Sequence, residues 1–204
     1  MIECPPPDNS QGYKVCNVIL AAANVRRGLM LRPRLVVLIL MILAAAASRL
    51  IPHPPNFVPV AALALFGGAY LSDKRLAFLA PMSALLLSDL VIGLYGQMWV
   101  VYGSFSLIIC LGFWLRRRRT APRVAAAALA GSVLFFALTN FGVWAFGSLY
   151  SKTAGGLLTC YVAAIPFFQN TLLGDAVYTA ALFGGFALAE RTFPVLREPS
   201  GVRV

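Results

Sequence analysis

The chain has 204 residues, 60% of them hydrophobic and only 12% charged, where an ordinary soluble domain holds roughly a quarter charged residues and just under half apolar ones. Long unbroken apolar runs at this composition exclude a soluble globule and define a polytopic membrane protein. Seventeen Lys and Arg against seven Asp and Glu leave a net charge of +10, but most of the basic residues stand between the apolar runs, where they read as topology signals and not as a nucleic-acid surface.

Residues 1–30, with the turn-rich string CPPPDNSQG, are expected to be a disordered tail, or a stretch ahead of a true start at Met30. Residues 31–192 form the membrane domain. Its apolar runs cover 35–51, 56–71, 76–94, 98–115, 124–146 and 171–189, each near the roughly 17–25 residues that cross a ~30 Å hydrocarbon layer as a helix, the second being short and little tilted. The first run, after MLRPR and before AAAAS, also imitates a signal peptide, but it continues past those alanines and reads better as a span. A further segment, 157–168, is too short to cross and contains Pro166, which suits a half-helix or interfacial segment. The expected fold is therefore all-α: a bundle of six transmembrane helices plus one short segment, followed by a tail over 193–204.

With six spans, and leaving aside Lys14 far out in the N-terminal tail, fourteen Arg and Lys fall on one side and only Arg49 and Lys152 on the other. The positive-inside rule makes the first side cytoplasmic and places both termini there, in a plasma or inner membrane. The arginine run at 116–119 is expected to anchor on the membrane surface.

Intramembrane polar residues are costly in lipid and mark polar contacts or cavities. Arg49, His53, Asn56, Asp89, Gln97, Asn140, Gln169, Asn170 and Asp175 all fall in the outer halves of the spans. Trp144 shares a helical face with Asn140, and Tyr178 lies one turn from Asp175. Together they outline a pocket open to the outside over a closed apolar floor, suited to a small polar or cationic ligand. Asp89 and Asp175 compete for one base, Arg49. The spare acid must be protonated, hydrogen-bonded to Asn or Tyr, or countered by a cation. The turn RLIPHPPNFVP, with four prolines, is stiff enough to cap such a pocket. Small residues spaced four apart, Ala44 and Ser48 above all, offer a docking face for another membrane subunit.

Enzyme chemistry finds little support. The only histidine is His53, the cysteines at 4, 16, 110 and 160 have no metal-ligand spacing, and neither GxSxG nor HExxH occurs. No catalytic residue, metal, cofactor or nucleic-acid partner is expected; a carboxylate pair of Asp89 and Asp175 is the remaining enzymatic alternative. No GxxxxGK[ST] loop occurs either, so ATP-driven uptake would need separate coupling and ATPase subunits.

Across RLIPHPPNFVPVAALALFGGAYL, LLLSDLVIGLY and TAGGLLTCYVAAIPFFQNTLLGDAVYTAALFGG, the chain resembles an uncharacterised family of six-span bacterial membrane proteins described as transport proteins. That family is similar to the substrate-binding S-components of energy-coupling factor transporters. The resemblance implies six helices, cytoplasmic termini and a vitamin-type ligand held near the outer face, without carrying over any ligand contact. The alternatives are a structural or assembly membrane protein with no ligand, and a self-sufficient ion-coupled carrier using Asp89 or Asp175.

Overall fold

The computed structural model describes residues 33–197; the tail expected over 1–30 and the last residues of the chain lie outside them. Among the described residues the secondary structure is all helical: α1 Pro33–Ala47, α2 Val60–Tyr70, α3 Lys74–Ile92, α4 Met98–Leu115, α5 Ala121–Phe146, α6 Ala154–Thr179 and α7 Gly185–Thr192. A single turn of 3-10 helix, Ser48–Leu50, extends α1, and one π-helical turn, Ala180–Gly184, joins α6 to α7 without a break. Five helical stretches are long and apolar enough to cross a membrane: Pro33–Leu50, Lys74–Ile92, Met98–Leu115, Ala121–Phe146 and Ala154–Thr192. The chain is thus a polytopic membrane helical bundle, as its composition indicates.

The run expected at 56–71 is helical only over the 11 residues of α2, about 16 Å at ~1.5 Å per residue, or half the hydrocarbon thickness. Its hydropathy is high because it is the core, not because lipid surrounds it. Every residue of α2 is buried, and α1, α3, α4, α5 and α6 all pack on it, as expected of a helix that is apolar on all faces. The closest approach is to α4. A Cβ on Gly68 would lie 2.4 Å from the Ile109 carbonyl oxygen and 2.9 Å from the Gly112 Cα, and one on Gly112 would lie 2.7 Å from the Leu65 oxygen. Only glycine lets the two backbones touch at this level.

The segment 157–168 is helical and runs directly into the last span. Together they make one stretch of 39 residues, Ala154–Thr192, about 58 Å long if straight and roughly twice the hydrocarbon layer. Pro166 sits inside it and cannot donate to the carbonyl one turn back, so this is where the helix can bend. Beyond α7 the chain folds back: Leu196 is buried, and Arg34 ties α1 to this end through Glu190 and the Leu196 carbonyl, both at 2.5 Å.

Two of the four arginines in the run have a task besides the surface anchor expected of it. Arg116 donates to the carbonyls of Gly68 (2.8 Å), Leu71 (2.6 Å) and Ser72 (3.1 Å), and Arg119 to that of Ala69 (3.1 Å). These are the last carbonyls of α2 and of the turn after it, which have no partner within the helix. Two guanidinium groups from the α4–α5 connection therefore terminate the negative end of a buried helix. Arg117 and Arg118 are exposed.

Candidate functional site

Where α2 begins, the mirror-image device is found. Pro59 precedes the helix and offers no side-chain cap. Instead Asp175 of α6 reaches across, its Oδ1 accepting from the amides of Ala61 (3.1 Å) and Ala62 (3.3 Å) and its Oδ2 from the Ser132 hydroxyl of α5 (2.7 Å). Asp175 is 2% exposed. Its charge is met by the positive end of a helix and three donors, so the spare acid has no need of a cation, and its partners are neither Asn nor Tyr. Gly174 makes the approach feasible, since a Cβ there would press on the backbone of Phe57 and Val58 at about 3.1–3.2 Å.

Asp89 is answered in another way. Its Oδ1 lies 2.7 Å from Arg49 Nη2, and its Oδ2 accepts from the Tyr102 hydroxyl at 3.0 Å. Arg49 Nη1 donates also to Ser88 Oγ. Asp89 is fully buried and stands behind Arg49.

Arg49 itself lines a cavity of about 520 Å³ at the end of the bundle away from the arginine run. His53 and Asn56 of the proline-rich turn, Tyr95 of the α3–α4 loop, and Phe135, Phe136, Thr139 and Asn140 of α5 contribute to its wall. Phe167, Phe168 and Thr171 of α6 close the other side, and Asp175 and Val60 stand at the base. The volume falls within the roughly 300–1,000 Å³ of small-molecule sites, and the mixture of aromatic faces with a few polar groups is typical of them. Several of the polar groups are partly engaged. Asn140 Nδ2 donates to the Phe136 carbonyl (2.8 Å) and Thr139 Oγ1 to that of Phe135 (2.7 Å). His53 Nδ1 lies 3.0 Å from the Pro54 carbonyl. Arg49 Nε is buried and has no partner. Partial burial, and then the Asp89 carboxylate, push the Tyr95 phenol above its ordinary range, which keeps its hydroxyl a neutral donor.

The cavity thus brings together Arg49, His53, Asn56, Asn140 and Asp175. Other candidates are placed elsewhere. Asp89 is screened by Arg49, Gln97 precedes α4 without a capping bond, and Gln169 is exposed. Asn170 Nδ2 donates to the Pro55 carbonyl (2.9 Å) and Tyr178 packs on Phe57, ring centres 6.0 Å apart, so both hold the proline-rich turn against α6. Trp144 donates to the Ser151 carbonyl at 2.9 Å and fixes the loop after α5. Asn56 has a backbone role as well: its φ of 62° closes the turn in which the Phe57 amide donates to the Pro54 carbonyl, a left-handed conformation that asparagine tolerates. Ser132, Phe136 and Phe168 also meet this site but are not singled out by polarity in the sequence. Their spacing from Asn140 and Asp175 along α5 and α6 is the signal that could have found them.

The floor is not closed. A second cavity of about 670 Å³ lies between α5 and the α6–α7 rod in the arginine-rich half, reaching from Ser132 and Asp175 to Arg119 and Arg191. The faces of these helices toward the space carry Ala125, Ala128, Ala176, Ala180 and Gly184, whose small side chains leave it unfilled. Asp175 lines both cavities. Among the described residues no group of three His, Cys, Asp or Glu could hold a metal ion, and Cys110 and Cys160 are free thiols.

The sequence profile of one family matches residues 30–196, nearly all of the described bundle. The chain belongs to a family of unknown function, DUF6580. No curated protein and no solved structure matches it.

Proposed function

We propose that this DUF6580 protein is the ligand-binding part of a membrane transport system, taking a small molecule into the cavity beneath the proline-rich turn. The observation that carries this reading is a cavity of about 520 Å³ whose wall combines Phe135, Phe136, Phe167 and Phe168 with Arg49, His53, Thr139 and Asn140. Four phenylalanines and the Asn140 amide favour a flat, largely apolar body that bears an acceptor, such as a heterocycle with a carbonyl or carboxylate, over the cationic ligand expected from the two acids. The cavity lies at the end remote from the arginine run, which the positive-inside rule makes the outer end. The finer reading, an S-component-like subunit in the plasma or inner membrane working with a coupling subunit and ATPases, rests on the sequence resemblance and on the lack of a phosphate-binding loop in the chain. Ala44 is exposed on α1 and remains the proposed docking surface for that partner.

The test is a thermal-shift screen of the purified protein against vitamins, nucleobases, amino acids and metal ions. A hit is expected among acceptor-bearing heterocycles, and Asn140→Leu and Phe168→Ala should each weaken it by about tenfold. A hit untouched by both changes would place the site elsewhere. A blank panel would favour a structural or assembly role, for which Asp175 and the Arg49–Asp89 pair already have sufficient explanation as interhelical ties.

A further inference from the structure

We propose that the groove between α5 and the α6–α7 rod is a binding site for one anionic phospholipid, its phosphate held by Arg119 and Arg191 and one acyl chain lying along the groove. Both arginines line the same cavity, at the end where the basic residues of the bundle gather, and basic pockets between helices at the cytoplasmic boundary suit anionic lipid headgroups. The groove opens sideways onto the bundle surface, since Ala125, Leu129, Ala176, Ala180 and Gly184 line it and are exposed. An occupant can therefore enter from the bilayer.

The groove is long enough for much of an acyl chain: Ala121 and Ser132, which line its two ends along α5, are about 16 Å apart along the axis at ~1.5 Å per residue. The π-helical turn Ala180–Gly184 forms part of the wall, and such turns are frequent where a helix is shaped around a ligand.

Arg119 is fixed at the basic end of the groove, its guanidinium lying over the Tyr70 ring, 4.4 Å from the ring centre, while Tyr70 packs in turn on Phe183 of the groove wall.

Native mass spectrometry of the full chain, after exchange in mixed micelles of phosphatidylglycerol and phosphatidylcholine, tests this. One phosphatidylglycerol should be retained per chain, preferred by about tenfold. Arg191→Gln, a change at an exposed position, should reduce that preference to near parity. Ala180→Trp should fill the groove and eliminate retention, with helix content by circular dichroism unchanged. Glycerol phosphate should not displace the lipid. Equal retention of both lipids, displacement by glycerol phosphate, or retention unaltered by Ala180→Trp would each overturn the proposal. So would a wild-type dimer that Ala180→Trp converts to monomer, because the groove would then hold a helix of a second copy.

Discussion

The two buried carboxylates of this bundle are neutralised by different means. Asp89 faces a side chain, Arg49, with Tyr102 as a second donor. Asp175 faces the backbone, two amides that open α2, with Ser132 as the third donor. A side-chain pair can be exchanged as a unit for apolar residues, because both charges leave together. A helix end cannot be exchanged. Its amides persist whatever replaces Asp175, and they have no partner within the helix. The first arrangement is therefore a removable tie and the second a condition for α2 existing where it does.

The largest effect should come from breaking the pair on one side. Arg49→Met strands Asp89 at 0% exposure and should cost about 3–5 kcal/mol, while Arg49→Met with Asp89→Leu should recover most of the loss. Reversible unfolding in detergent measures both. No recovery in the double variant would mean that Arg49 contributes through Ser88 or the cavity, and the contrast with Asp175 would weaken. Asp175→Ala comes next, at roughly 2–4 kcal/mol for orphaned amides and the lost helix-end charge. Here adding Ser132→Ala should recover nothing, since the hydroxyl is the lesser of the stranded donors; recovery would show that the amides had found other partners. The smallest change is Tyr102→Phe, which removes one hydrogen bond from Asp89 and should cost about 1 kcal/mol, read as a shift in the same unfolding curve.

What was legible in the sequence follows the same division. Span-length apolar runs and clustered arginines gave the helices and the common basic end, because hydrophobic burial and the positive-inside rule act on local composition. The co-location of Arg49, His53, Asn56 and Asn140 was legible too, since polar residues in lipid are few and all of these lay toward one end of their spans. Partner assignment was not. Asp175 is matched to amides 113 residues away, and an amide leaves no trace in a sequence. For the same reason the 56–71 run read as a crossing helix: hydropathy does not distinguish a helix bathed in lipid from one enclosed by five neighbours. The inner groove was illegible because an alanine that packs and an alanine that lines a void are the same letter.

The trans-capping of α2 also imposes an order in time. When Ala62 has been made, the residue that will satisfy its amide is still 113 residues from being added, and Arg116 follows Gly68 by 48. At roughly 5–20 residues per second the wait for Asp175 is on the order of 6–23 seconds. An 11-residue helix, too short to cross the bilayer on its own, has both ends uncapped until Arg116 is made and one end uncapped until Asp175 is made. The capping of α2 is therefore complete only once Asp175 has been made, and a nascent chain arrested before residue 175 should leave this segment accessible to proteases or chaperones that never meet it in the finished protein.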